Sequence, residues 1–242
     1  MTALLASVRS LFEARLALEH GADIIDLKEP EAGALGAVSA EVARSVVKFI
    51  DGRAPVSATI GDELDAEDTV AAVNHLSELG VDFIKVGLFN AQQRAQLLPV
   101  LRELSRSGRR LVAVLFADVY PMLEISDVAT AGLHGVMVDT AAKNRGSLRQ
   151  LVSDHALSGF VAQARQAGLY CGLAGSLRLE DIEPLLALTP DYLGFRGALC
   201  GSGRRTETLD VERLRQVRSR MHMNRTHLKI PFAPGYRRAN VT

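Results

Sequence analysis

The sequence predicts a single closed barrel of eight parallel strands with surrounding helices, the (β/α)8 or TIM-barrel class of α/β proteins. Short apolar runs of strand length recur eight times, and amphipathic stretches of helical period separate them. Eight such units in one domain favour a closed barrel over an open, doubly wound sheet. The chain has 242 residues, a usual length for an α/β barrel that folds as one domain.

The strand candidates are runs of four to six residues rich in Val, Ile, Leu and Phe. They lie at 4–8, 24–28, 56–60, 83–86, 111–116, 136–139, 170–174 and 192–196. The clearest helices lie at 39–50, 66–79, 91–106, 158–167, 179–188 and 210–221. Many helices run into a glycine before the next strand, such as Gly80 and Gly108, where glycine accepts the left-handed conformation of a C-cap. No linker interrupts the pattern, so we predict a catalytic barrel domain over 1–223 and a C-terminal extension over 224–242.

Composition and charge limit the classes of partner. The formal net charge is zero, so no basic surface for nucleic acid or for an anionic membrane is expected. The apolar stretch near the N-terminus is too short for a signal peptide, and no run reaches the length of a membrane span. We therefore expect a cytoplasmic protein that acts on a small molecule, and a homo-oligomer is left open.

Metal and cofactor motifs are not visible in the sequence. Cys171 and Cys200 lack the spacing of metal ligands and are interpreted as reduced thiols. No His/Cys cluster, acidic ligand set or dinucleotide-binding fingerprint is present in it. No metal and no cofactor is therefore expected.

Lysine is rare in this chain, and its positions are informative. Only five lysines occur, against twenty-three arginines, and three of the five stand at or just past the end of a strand-like run. These three are Lys28, Lys85 and Lys143. Arginine stays protonated, whereas a lysine in an apolar setting can lose its proton and attack a carbonyl as a free amine. The pattern indicates amine chemistry, although each lysine alone also fits an ordinary strand end that reaches water.

Active sites of α/β barrels lie at the C-terminal ends of the strands, where inward side chains from alternate strands share a layer. Side chains alternate along a strand, so Lys28 and Asp26 point into the barrel together. The same alternation sends Lys85, Asp139 and Arg196 inward from the fourth, sixth and eighth strands. We therefore predict a polar layer near the mouth that is formed by Lys28, Lys85, Asp139 and Arg196.

The charged residues near this layer admit more than one role. Lys85 is either a cation that favours the neutral amine of Lys28 or an acid/base that moves protons. Asp26 is either a buried counter-ion for Lys28 or a proton shuttle. Asp118, after the fifth strand, and Asp139 are candidate acids, and Asp139 also fits a helix N-cap. Lys143 lies on a loop and is either solvated or closes over substrate.

Glycine-rich loops follow the last two strands, with the sequences AGS at 174–176 and RGALCGSGR at 196–204. Backbone N–H groups of these loops commonly bind phosphate in barrels, and nearby arginines favour an anionic, sugar-like substrate. The candidate phosphate-binding residues are Gly175, Ser176, Arg196, Gly197, Gly201, Gly203 and Arg204. A further glycine-rich loop at 31–36 either covers the reacting carbon or holds a second phosphate.

Motifs at these positions resemble those of a known family. The blocks, in order over about residues 21–210, are GADIIDLKEPEAGALGA, VSATIGD, DFIKVGL, FADVY, MVDTAAKNRGSL, GLAGSL and GFRGALCGSGR. In them the chain resembles the (5-formylfuran-3-yl)methyl phosphate synthases of methanofuran biosynthesis, also called 4-(hydroxymethyl)-2-furancarboxaldehyde-phosphate synthases. Residues 224–242 have no counterpart in these blocks and fit an oligomer-binding arm or a disordered tail.

The resemblance implies a lyase that condenses two molecules of glyceraldehyde 3-phosphate into a furan aldehyde phosphate, with loss of one phosphate and two waters. It implies Lys28 as the Schiff-base lysine and Lys85 as the proton acceptor. Supporting residues in the matching blocks are Asp26, Asp118, Asp139 and Lys143. Two other hypotheses remain: another class I aldolase-like enzyme that forms a Schiff base with a sugar phosphate, and a non-catalytic barrel that binds a phosphorylated metabolite.

Overall fold

Eight parallel strands close into a barrel in the computed structural model, which describes residues 2–119, 125–142 and 145–222. The strands are β1 (Ala3–Val8), β2 (Ile24–Leu27), β3 (Val56–Thr59), β4 (Phe83–Leu88), β5 (Leu111–Phe116), β6 (Gly135–Asp139), β7 (Tyr170–Leu173) and β8 (Tyr192–Phe195). Each strand pairs with its neighbours in the chain, and β8 pairs with β1. The predicted (β/α)8 barrel is confirmed. The predicted extension at 224–242 lies outside the described residues.

Helices connect the strands and cover the outside of the barrel. In the described residues they are α1 (Leu11–Glu19), α2 (Ala40–Ile50), α3 (Ala66–Glu78), α4 (Ala91–Arg106), α5 (Ser126–Thr130), α6 (Leu148–Leu151), α7 (Asp154–Gln166), α8 (Ile182–Ala187) and α9 (Val211–His222). Ser39 and Asn90 cap α2 and α4 by accepting hydrogen bonds from backbone N–H groups of the first turn. Gly80 and Gly108 follow α3 and α4 with φ of 83° and 90°, as the glycine pattern predicts. Within the described ranges, no helix has the length and apolar character needed to cross a bilayer.

Two predicted helices have different bounds. The helix predicted at 158–167 already begins at Asp154, because the hydroxyl of Ser153 accepts a hydrogen bond from the first turn and caps it. The segment predicted as one helix at 179–188 is a 3-10 turn followed by α8. Pro184 has no N–H, and its ring would clash with the carbonyl four residues earlier, so an α-helix cannot extend back through that turn.

Apolar side chains fill the barrel interior beneath its C-terminal end. These inward residues include Leu5, Ile24, Phe83, Val112, Val114, Met137 and Tyr192. The ring of Tyr192 lies against β7 at Gly172, where an added Cβ would stand 2.2 Å from the ring. Glycine at that position leaves room for the ring, and the packed interior confines substrate access to the C-terminal ends of the strands.

The loop after β2 closes one half of the barrel mouth. The buried side chain of Leu35 shares an apolar cluster with Phe89 and lies over Gly87, where an added Cβ would stand 2.8 Å from a Leu35 methyl. The carboxylate of Asp62 fixes this loop by accepting hydrogen bonds from the N–H groups of Ala34 at 2.7 Å and Leu35 at 2.5 Å. Apolar side chains therefore cover the mouth over β3, β4 and β5, and access remains over the other strands.

Candidate active site

A cavity of about 700 Å³ opens at the C-terminal ends of the strands. Its walls come from β1, β2, β4, β6 and the loops that follow β7 and β8. Four charged side chains reach it from the strands, namely Asp26, Lys28, Lys85 and Asp139. All four residues are buried, with exposures between 0% and 8%, so their charges are balanced within the protein.

Lys85 and Asp26 form an ion pair in the wall of this cavity. Lys85 Nζ lies 2.5 Å from a carboxylate oxygen of Asp26. The hydroxyls of Ser57 and Ser7 donate to the two Asp26 oxygens at 2.6 and 2.8 Å. Burial, the largest influence, lowers the pKa of Lys85; the Asp26 charge opposes this, and the positive charge of Lys28 lowers the pKa further. Lys85 therefore gives up its proton more readily than an exposed lysine does.

Lys28 stands at the end of β2, and its partner is Asp139 at the end of β6. Lys28 Nζ lies 3.4 Å from one carboxylate oxygen of Asp139. The other oxygen accepts a hydrogen bond from the N–H of Thr140 at 2.7 Å. The next helix in the described residues begins at Leu148, so Asp139 is not a helix N-cap. Its position beside the amine suits a group that moves protons at Lys28.

The structure brings Lys28, Lys85 and Asp139 to one cavity, together with Asp26. Of the two roles open for Asp26, that of counter-ion to Lys28 is wrong, because Asp26 pairs with Lys85. Residues two apart on a strand differ in height by roughly 6.6 Å, so Lys28 stands nearer the mouth than Asp26. Lys28 is therefore paired with Asp139 near the mouth of the barrel, and Lys85 is paired with Asp26 deeper in the cavity.

The expectation for Arg196 is revised. Its guanidinium forms an ion pair with Glu13 of α1, with N–O distances of 2.5 and 3.1 Å. Nε donates to the carbonyl of Arg205 at 2.7 Å, and the terminal nitrogens donate to the carbonyls of Ser7 at 3.2 Å and Glu207 at 2.6 Å. These bonds use all five N–H donors of an arginine. Arg196 therefore joins the loop after β8 to α1 and has no donor left for a phosphate.

Asp118 is not among the described residues that line the cavity. Its two carboxylate oxygens accept hydrogen bonds from the N–H groups of Ala141 at 2.7 Å and Ala142 at 2.6 Å. Asp118 thus holds the start of the loop after β6. Lys143, which follows on that loop, lies outside the described residues.

Unpaired backbone N–H groups line the cavity where the loops after β7 and β8 meet it. In the described part of the chain, the N–H groups of Gly175, Ser176, Gly197 and Ala198 have no hydrogen-bond partner. Gly175 has φ of 110°, and an added Cβ would stand 2.8 Å from the methyl of Thr140, so a side chain does not fit there. Backbone N–H groups left free in this way bind anions such as phosphate. We call these four residues the N–H cradle.

The rest of the loop after β8 lies at the rim. Gly203 lines the cavity, whereas Gly201 does not. Arg204 also lines the cavity, but it forms an ion pair with Glu207 and its side chain is 76% exposed. Of these three predicted residues, Gly203 and Arg204 therefore line the cavity, and Arg204 has an acidic partner there.

Sequence reasoning missed three residues that shape the site, namely Ser7, Ser57 and Glu13, and it counted Arg205 only among the arginines near the last glycine-rich loop. In the strand register, Ser7 and Ser57 lie level with Asp26 on either side of β2. A small hydroxyl at an inward position of an apolar strand was the available signal for both serines. Glu13 is buried on the inner face of α1, and a lone acid on that face was the signal there. No local pattern distinguishes Arg205 from the other arginines of its loop.

Comparison with known proteins identifies the family. The family model for 4-HFC-P synthase matches residues 4–218. A protein from Methylorubrum extorquens, named provisionally as a (5-formylfuran-3-yl)methyl phosphate synthase, is 43% identical over 215 residues, covering 88% of this chain and 89% of that protein. The (5-formylfuran-3-yl)methyl phosphate synthase of Methanosarcina acetivorans is 37% identical and covers 84% of this chain and 92% of that protein. That of Methanopyrus kandleri is 39% identical over 84% of this chain and 91% of its own length.

Solved structures share the fold at low sequence identity. Phosphoribosyl anthranilate isomerase from Thermus thermophilus superposes with a TM-score of 0.67 at 15% identity, over 93% of this chain and 100% of that chain. The corresponding isomerase from Pyrococcus furiosus gives a TM-score of 0.65 at 14% identity, over 91% of this chain and 98% of that chain. These two likenesses concern the barrel architecture alone. Because the family model spans most of the barrel and relatives at 37–43% identity cover more than four-fifths of the chain, this protein belongs to the 4-HFC-P synthase family and is an enzyme.

Proposed function

We propose that this enzyme condenses two molecules of glyceraldehyde 3-phosphate into (5-formylfuran-3-yl)methyl phosphate, in the cytoplasm and as a step of methanofuran biosynthesis. The atoms of two triose phosphates, less one phosphoric acid and two waters, equal those of the product. The observation that carries the proposal is the pair of buried lysines, each with its own carboxylate, in a cavity that the N–H cradle also lines. Membership in the family supports the product.

The first step is the attack of the Lys28 amine on the aldehyde carbon of one triose phosphate. A carbon–nitrogen bond forms, and loss of water leaves a protonated imine. Asp139, at 3.4 Å from Lys28 Nζ, moves protons between the nitrogen and the departing oxygen. Arginine in place of Lys28 cannot take this step because its guanidinium stays protonated.

The second step is removal of a proton from the carbon next to the imine. Lys85 takes this proton as a neutral amine, and its lowered pKa makes that form accessible near neutrality. The resulting Lys85 cation is stabilised by Asp26, which Ser7 and Ser57 hold in place. The electron pair of the broken C–H bond moves into an enamine on Lys28.

The enamine then attacks the aldehyde of the second triose phosphate, which forms the new carbon–carbon bond. Loss of water, ring closure and elimination of one phosphate lead to the aromatic furan, and hydrolysis of the imine frees Lys28. The N–H cradle holds a phosphate during these steps, since its four residues line the cavity, their backbone N–H groups have no partner in the described part of the chain, and none of them carries a carboxylate.

Incubation with glyceraldehyde 3-phosphate alone tests the proposal. Near-ultraviolet absorbance of a furan aldehyde and released inorganic phosphate should rise together in a one-to-one ratio. Another Schiff-base aldolase would form an imine but no furan, and a binding barrel would show neither product. Furan formation without any borohydride-trapped lysine adduct would remove the Schiff base from the mechanism.

The lysine assignment has a matched control in this chain. Lys28→Arg should abolish furan formation and borohydride labelling with the fold intact. Lys48→Arg, at an exposed position of α2, should leave both unchanged. Peptide mapping should place the single adduct at Lys28, and an adduct at Lys85 would exchange the roles of the two lysines.

A further inference from the structure

Arginines line the cavity, and most of those at its rim have acidic partners. Arg196 is bound to Glu13, and Arg204 is bound to Glu207. Arg205 differs because its side chain leaves the loop after β8, passes the end of β1 and reaches the loop after β2. It is half-buried and belongs to the cavity wall. Arg205 therefore places a permanent positive charge in the wall of the cavity that Lys28 also lines.

The hydrogen bonds of Arg205 leave part of its guanidinium unused. Nη2 donates to the carbonyl of Pro30 and to that of Gly33, the latter at 3.1 Å. Within the described residues, Nε and Nη1 have no partner, and these atoms carry three of the five N–H donors of an arginine. Burial lowers the pKa of Arg205, and the charge of Asp139 raises it. The side chain is thus partly desolvated yet charged, which strengthens its attraction for an anion.

Two triose phosphates bring two phosphate groups into one cavity. The N–H cradle after β7 and β8 forms one anion site. The guanidinium of Arg205 reaches instead to the loop after β2, where it contacts Pro30, two residues after Lys28 in the chain. Lys28, its ion-pair partner Asp139 and Arg205 line the same cavity, where burial lowers the pKa of Arg205 and the charge of Asp139 raises it.

We propose that Arg205 forms a second phosphate subsite, which takes the phosphate of the triose held on Lys28, while the N–H cradle takes the phosphate of the other triose. This proposal rests on the proposed function for the identity of the substrates. The anion itself is recognised by the free Nε and Nη1 donors, a charge-assisted contact that backbone groups alone do not supply. The bond from Nη2 to the loop after β2 holds the guanidinium in place for that contact.

Binding of inorganic phosphate to the full chain tests the subsite without any turnover. Equilibrium dialysis should find two phosphates per chain for the parent and one for Arg205→Gln. Gly175→Val, whose side chain would collide with Thr140 and so distort the N–H cradle, should also retain one. Arg106→Gln, an exposed arginine of α4 paired only with Glu103, should retain both. Circular dichroism checks the fold of each variant, and Arg205→Lys, which keeps a charge, should retain both phosphates with weaker affinity.

A second measurement assigns the subsite to the Lys28 triose. Borohydride labelling by limiting glyceraldehyde 3-phosphate should fall at least tenfold in Arg205→Gln, whereas labelling by glyceraldehyde, which has no phosphate, should be unchanged. Two bound phosphates in Arg205→Gln, or one in the parent, would overturn the subsite. Parent-like labelling by glyceraldehyde 3-phosphate in Arg205→Gln would overturn its assignment to Lys28. If Arg205→Gln binds one phosphate and the parent binds two, but the parent makes no furan, the subsite stands and the proposed function is rejected.

Discussion

Breaking the buried pair between Arg196 and Glu13 should strongly destabilise the barrel. The side chains are 9% and 2% exposed, and Arg196 makes five hydrogen bonds that Arg196→Met removes together. Removing one partner of a buried ion pair costs about 3–5 kcal/mol, since the other charge remains desolvated. At about 2–4 °C per kcal/mol for a domain of this size, the melting temperature should fall by about 6–20 °C.

Urea denaturation followed by far-ultraviolet circular dichroism measures this loss. Arg106→Met is the matched control, because its pair with Glu103 is about two-thirds exposed and should contribute about 0–1 kcal/mol. The double variant Glu13→Met with Arg196→Met should lose less than Arg196→Met alone, since no buried charge is left without its partner. A loss below about 1 kcal/mol in Arg196→Met, or a double variant less stable than the single, would refute the buried-pair reasoning.

Three other outcomes follow from single groups. The rate at which the substrate carbon proton exchanges in D2O should rise as the pH increases from neutrality, because Lys85 has a lowered pKa and acts as a base only in its neutral form. An exchange rate that does not change with pH would place the base elsewhere. Gly87→Ala should cost about 1–3 kcal/mol of unfolding free energy in urea, since the new Cβ would stand 2.5 Å from the ring of Phe89; parent-like stability would contradict this packing. Cys171 and Cys200 should resist a thiol reagent at pH 8 until the enzyme is unfolded, because burial raises their pKa values to about 12 and about 11; labelling of the folded enzyme would contradict that burial.

The barrel was predictable because its signals are local. Strand runs, amphipathic helices and glycine C-caps each depend on residues a few positions apart, and all eight strands lie where the runs predict them. Strand bounds shift by up to two residues, as at β4, which continues through Leu88 because that side chain is also buried. Alternation along the strands likewise placed Lys28, Lys85 and Asp139 at one cavity.

Long-range pairings were not predictable in the same way. Arg196 obeys the strand alternation in sequence, yet its acidic partner lies 183 positions earlier on a helix. A pairing of Asp26 with Lys28 was one of two alternatives that the sequence left open, but the stagger of a barrel brings Lys85 to the depth of Asp26. Such pairings depend on the relative height of distant strands and helices, which no local spacing specifies.

In the proposed mechanism, the depths of the two lysines favour Lys28 over Lys85 for the covalent step. Lys85 Nζ lies 2.5 Å from Asp26 with its side chain 4% exposed, and the space beneath it is only about 20 Å³, room for roughly one water. An imine there would put a three-carbon chain where a tight ion pair now stands. Both lysines line the cavity of about 700 Å³, but at Lys28, nearer the mouth, the substrate would displace only a 3.4 Å contact with Asp139. Lys85 gains a charge when it takes a proton, and Asp26 already lies beside it. In the mechanism proposed above, bond formation would therefore take place at the mouth and proton transfer beneath it.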